Sequence, residues 1–148
     1  MYCETSTNVI TTTIFNKPDI LINNFMTALI ILAHGSRRTE SNQEIIELAD
    51  KVAAIAKKKY KLVTYAFLEV VEPKLLHAID MLIEQSIDEI IVLPYFLNSG
   101  NHVTHDIPEI IELAKLKYSD CIFRLAPCVG LHQDMPKLIL SQAELNNF

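Results

Sequence analysis

Of the five histidines in this chain, His34, His102 and His132 follow short apolar, β-branched runs, and Glu69 ends a similar run in Ala66-Phe-Leu-Glu69. Two neutral imidazoles and a carboxylate around one cleft suit a borderline divalent cation such as Fe²⁺, Co²⁺, Ni²⁺ or Zn²⁺. The same groups can also take and return protons. Any one of these positions is equally well a polar loop residue; what carries weight is that four of them share one kind of place. His77 sits inside a helical pattern and reads as a surface residue. His105 opens a later helix, where capping or solvent contact competes with chemistry.

Other chemistries find little support. Ser36 lies beside His34 but not in a G-x-S-x-G elbow, and neither G-x-G-x-x-G nor G-x-x-x-x-G-K-[ST] occurs. Cys3, Cys121 and Cys128 form no C-x-x-C pair and lack a local activating partner, which fits reduced thiols in a cytoplasmic protein. Arg37 and Arg38 directly follow His34 and can pair with a carboxylated ligand, although two adjacent arginines are more often an exposed basic loop.

The elements that must position these residues alternate regularly. Ala28 to Ala33 is an apolar run of strand length, followed by Ile45, Leu48, Ala49, Val52 and Ala56 at helical spacing. Ser41 to Glu44 matches a capping box and predicts the start of that helix. A second strand is predicted over Leu62 to Leu68, and a helix opening at Pro73 carries Leu76, Ile79, Leu82 and Ile83 on one face. The third strand is predicted over Glu89 to Leu97 and the fourth over Cys121 to Pro127. Asp106-Ile-Pro and Asp134-Met-Pro are predicted caps of the third and fourth helices. Four βα units predict an α/β fold, a four-stranded, mostly parallel sheet in a three-layer α/β/α arrangement with helices on both faces.

In such a sheet ligands bind beyond the carboxyl ends of the strands. The candidate histidines, Glu69 and all three glycines, Gly35, Gly100 and Gly130, fall at those ends. Glycine is scarce here, so each is expected to serve a positive φ or a close approach of another group.

Length and charge narrow the partners. At 148 residues, with half the side chains hydrophobic, the chain can bury a core without disulfides or a structural metal. Thirteen basic against 18 acidic residues, net −5, leave no basic excess for a phosphate backbone, so no nucleic acid is expected. No apolar run approaches the roughly 18 residues a membrane span needs, so no membrane is expected either. Residues 1–25 are rich in Thr and Asn, with Glu4 where a signal peptide carries positive charge, and read as an N-terminal extension of unassigned role. Residues 26–148 are taken as one domain.

Four segments together resemble the small sirohydrochlorin chelatases of the CbiX type: Leu29-Ile-Ile-Leu-Ala-His-Gly-Ser-Arg37, Ala66-Phe-Leu-Glu69 with Glu72-Pro73, Ile91-Val-Leu-Pro-Tyr-Phe-Leu97, and Gly100-Asn-His-Val-Thr-His-Asp-Ile-Pro108. The resemblance covers about residues 27 to 140 in order and spacing. It implies a chelatase-like fold of the flavodoxin/Rossmann kind, with His34 and His102 as the metal-handling pair and Glu69 as an assisting carboxylate. It further implies ATP-independent insertion of Co²⁺ or Fe²⁺, and in some relatives Ni²⁺, into sirohydrochlorin or a related tetrapyrrole. Arg37, Ser36 and Gly100 would then lie at the tetrapyrrole rim. No cofactor beyond the substrate metal is implied, and the short forms are homodimers resembling half of a two-domain chelatase. Asn101 stands where a second glycine is usual, the segment around Cys128 to His132 matches only loosely, and residues 1–25 have no counterpart. A metal carrier or inactive homologue is the alternative, separable from an enzyme by turnover.

Overall fold

The computed structural model describes residues 26–56 and 59–145. Their elements, in order, are β1 (Thr27–Ala33), α1 (Thr39–Ala56), β2 (Leu62–Phe67), α2 (Leu75–Glu84) and β3 (Glu89–Pro94). A π-helical turn (His102–Asp106) then leads into α3 (Ile107–Lys117), β4 (Ile122–Leu125), a 3₁₀ turn (Val129–Leu131) and α4 (Met135–Ala143). The expected extension, residues 1–25, lies outside the described residues.

The sheet has the order β2-β1-β3-β4, and all three pairings are parallel. Successive side chains of a strand face opposite ways, so the apolar run of β1 is buried on both sides as a central parallel strand must be. One face presents Ala28, Ile30, Leu32, Ala66, Ile90, Val92 and Phe123 to α2 and α3, which contribute Leu75, Ala78, Ile79, Leu82, Ile107, Ile111 and Ala114 to the same core. β1 crosses to β2 on one side while β2 returns past it to β3. Right-handed crossovers therefore put α1 on the other face, over β1 and β2. There Leu29, Ile31, Ala33, Phe67 and Ala49 are buried. Ile91 and Leu93, facing the same way from β3, are only half-buried.

Several boundaries differ from the sequence expectation. Helix α1 starts at Thr39, so Ser41 to Glu44 lies inside it and is not a capping box at its start. Helix α2 begins at Leu75 rather than Pro73. Asp106 and Asp134 precede α3 and α4 as expected but make no side-chain capping bond. Strand β3 ends at Pro94, not at Leu97, with one further bond from the Tyr95 amide to the Leu32 carbonyl oxygen. Strand β4 is confined to Ile122–Leu125. Helix α4 contributes no buried residue, so the layer it was expected to form on the sheet is incomplete.

Candidate metal site at the sheet edge

His34 is the first residue after β1, Glu69 the second after β2, and His102 opens the π-helical turn after β3. Because β1 lies between β2 and β3, these three exits are neighbours, and His34 and His102 flank the point where the connections reverse direction. One donor atom from each of His34, Glu69 and His102 falls within 4.8 Å of the others, the group of this kind among the described residues. The imidazoles meet edge to face, with ring centroids 5.0 Å apart. His34 Nε2 lies 3.7 Å from Glu69 Oε2.

The hydrogen bonds decide which nitrogens are available. His102 Nδ1 lies 2.7 Å from Asp106 Oδ2, and His34 Nδ1 lies 3.2 Å from the carbonyl oxygen of Gly35. Both partners are acceptors, so each ring donates from Nδ1–H and keeps its lone pair on Nε2. Both Nε2 atoms are thus left for a cation, and about half of each His34 and Glu69 side chain remains open to solvent.

Backbone geometry holds the loops. Gly35 has φ +91°, and a Cβ there would strike the backbone oxygen of Glu69. The close approach is fixed by the Glu69 amide donating to the His34 carbonyl oxygen at 2.9 Å. Val70, next to Glu69, also has positive φ (67°), within a tight turn closed by the Val71 amide on the Glu69 carbonyl oxygen. Asn42, on the first turn of α1, clamps Ser36 twice: its Oδ1 accepts from the Ser36 amide at 2.9 Å and its Nδ2 donates to the Ser36 carbonyl at 2.8 Å. Gly130 is required by the backbone of Leu97 lying against it, which ties the loop before His102 to the 3₁₀ turn. Gly100 departs from the expectation for glycines, since a Cβ there would meet open space.

The remaining candidates separate. Arg37 and Arg38 are exposed, and Arg38 lies 4.0 Å from Glu40. The Ser36 hydroxyl accepts from the Arg38 amide. His105 is exposed and not part of the three-residue group, its Nδ1 2.7 Å from the Thr104 hydroxyl. His132 accepts from the Asp134 amide and is not part of the three-residue group. His77 is exposed beside Glu72, whose carboxyl is held below its ordinary range first by the Lys74 amide and then by His77. Sequence reasoning missed Asn42, whose clamp depends on a helix starting earlier than expected. It gave Asp106 a capping role, although its spacing of four from His102 was a signal for side-chain contact.

A parallel sheet of order 2-1-3-4 whose edge gathers two imidazoles and a carboxylate defines an open α/β domain with a nitrogen and oxygen donor set at its switch point. The chain belongs to the CbiX family, whose sequence model matches residues 28–145. It is 38% identical over 88 residues to a sirohydrochlorin cobaltochelatase of Methanocaldococcus jannaschii, a match spanning 60% of this chain and 60% of that protein. The chain thus spans about three fifths of that relative's length. A sirohydrochlorin cobaltochelatase of Sulfolobus acidocaldarius is 35% identical over 119 residues, 80% of this chain and 91% of that one. Among solved structures, the sirohydrochlorin chelatase SirB of Bacillus subtilis in complex with cobalt superposes with a TM-score of 0.71 at 25% identity, covering 80% of this chain and 50% of that one.

Proposed function

We propose that the protein inserts a divalent metal ion into sirohydrochlorin or a closely related tetrapyrrole, without ATP. The observation that carries this reading is the convergence of His34, Glu69 and His102 donor atoms within 4.8 Å at the sheet edge of a CbiX-family chain. Metallation replaces two pyrrole N–H protons by one M²⁺, so two protons must leave the ring while the cation sheds water. A site for this must hold the cation without enclosing it. Two imidazole nitrogens and one carboxylate leave coordination positions open for the ring nitrogens, as catalytic sites do and closed structural sites do not. His34 and His102 act as metal ligands and Glu69 offsets the cation's charge or accepts a departing proton. Arg37, Ser36 and Gly100 lie on loops at the same edge, where a ring with acidic substituents would place its rim.

The cobaltochelatase relatives and the cobalt-bound neighbour favour Co²⁺, with Fe²⁺ and Ni²⁺ as the competing substrates. No helix among the described residues is long and apolar enough to cross a membrane, and Cys121 and Cys128 are free thiols, which supports a cytoplasmic setting. Two copies pair so that the second supplies the lobe closing the cleft. The superposition on half of a longer chelatase supports this reading, as does the apolar surface of α4, where Leu138, Ile139 and Leu140 are all exposed. The test is anaerobic incubation with sirohydrochlorin and each of Co²⁺, Fe²⁺ and Ni²⁺, following the tetrapyrrole absorption. A metal-dependent spectral shift faster than the protein-free control is expected. Metal binding with no acceleration would make the protein a carrier and overturn the enzymatic reading.

A further inference from the structure

Asp106 stands immediately before α3, where a carboxylate ordinarily caps a helix, yet it caps nothing. The demand for a cap is met otherwise. The Ile107 amide bonds the His102 carbonyl, closing the π-helical turn, and Pro108 removes the next amide donor. The carboxylate is released toward His102 Nδ1, 2.7 Å away, a short distance for a charge-assisted hydrogen bond. π-Helical turns of this kind recur at functional sites, and here the turn carries both His102 and its acceptor. His34, by contrast, has only the carbonyl of Gly35, at 3.2 Å, behind its Nδ1.

We propose that Asp106 is a positioning residue for the metal-handling site: it fixes the His102 tautomer with the proton on Nδ1 and aims Nε2 at His34 and Glu69. This rests on the proposed role of His102. An acidic acceptor behind a ligating imidazole commonly changes metal affinity about 10–100-fold when removed. A packing role is excluded by exposure, since the Asp106 side chain is 49% accessible.

The experiment is titration of the full-length protein with Co²⁺, followed by its d–d absorption, for Asp106→Ala, Asp106→Asn, His102→Ala and the pair His102→Ala with Asp106→Ala. Asp106→Ala should raise the Kd about 10–100-fold and displace the ligand-field bands, with the metal-free thermal midpoint little changed. Asp106→Asn should recover part of the affinity, because its amide oxygen still accepts from Nδ1–H. In the His102→Ala background, removing Asp106 should change nothing further. Wild-type affinity in Asp106→Ala, or an undiminished loss in the His102→Ala background, overturns the inference alone. Absence of Co²⁺ binding by the wild-type protein overturns the proposed site and this inference with it. If Asp106→Ala does not fold, the near-isosteric Asp106→Leu, which accepts no hydrogen bond, takes its place, and a wild-type Kd and spectrum there overturn the inference.

Discussion

The three converging side chains are unequal in what they supply, and the neighbouring histidines differ more. His34 and His102 offer Nε2 atoms with their other nitrogens engaged, whereas His105 engages Nδ1 with Thr104 and is not one of the three converging residues. His34→Ala and His102→Ala are therefore expected to lower the initial rate of metal insertion at least about 100-fold, the scale of losing a first ligand or its support. Their thermal midpoints should stay close to wild type, because both rings are substantially exposed. His105→Ala should keep most activity. Glu69→Gln should be slowed but active if the carboxylate acts by charge, since the amide retains an oxygen and loses only the ionisation. Initial rates beside thermal midpoints for the four variants check this. A dead His105→Ala with a normal His102→Ala would reverse the assignment of the two histidines, and four active variants would remove the site altogether.

At the scale of elements, α2 and α3 are joined by a polar clasp at the sheet's opposite end. The Tyr118 hydroxyl donates to Asp80 at 2.6 Å and Lys117 Nζ lies 3.0 Å from both carboxylate oxygens. Asp80 is held below its ordinary range first by Tyr118 and then by Lys117, and Lys117 is raised first by Tyr118 and then by Asp80. A depressed carboxyl stabilises the fold above its unfolded value, about 3.9, and the benefit is lost as pH falls through the lower folded value. The raised lysine acts in the opposite limb: its contribution is present below about 10.4 and is lost as pH rises through the folded value. Asp80→Asn should cost about 1 kcal/mol at pH 7, a charged hydrogen bond discounted for exposure, and the deficit should shrink in acid below pH 4. Urea midpoints of the two proteins at pH 7 and pH 3 test it; an equal deficit at both would mean that ionisation is not what matters. The strands were legible in the sequence because burial on both faces leaves continuous apolar runs, as in Ala28 to Ala33. Helix starts were not, because Ser41 and Asp106 look like caps whether or not their side chains find an amide. At Asp106 the competing acceptor role toward His102 won.

For the whole molecule the unfinished face of the sheet is the informative feature. Helix α1 covers β1 and β2, while over β3 the side chains of Ile91 and Leu93 are half-buried and α4 adds no buried residue. A cavity of about 540 Å³ lined by Leu93, Ala126, Cys128, Val129 and Leu131 opens beside it. The convergence of donor atoms was readable from the order of strand exits, but this open face was not, since α4 carries the apolar spacing of a helix that packs on its own sheet. Helices with an apolar face need something to cover it, and the proposed second copy would meet that need while providing a second lobe. The wild-type chain is accordingly expected to show twice its 16.8 kDa mass by light scattering at micromolar concentration. Ile139→Glu with Leu140→Glu should shift it to monomer, with a small change in thermal midpoint because neither side chain is buried within the protomer. The insertion rate should fall together with the dimer fraction if the partner closes the cleft. A monomeric wild-type protein would sink the pairing outright, and a fully active monomeric variant would show that each protomer completes its own site.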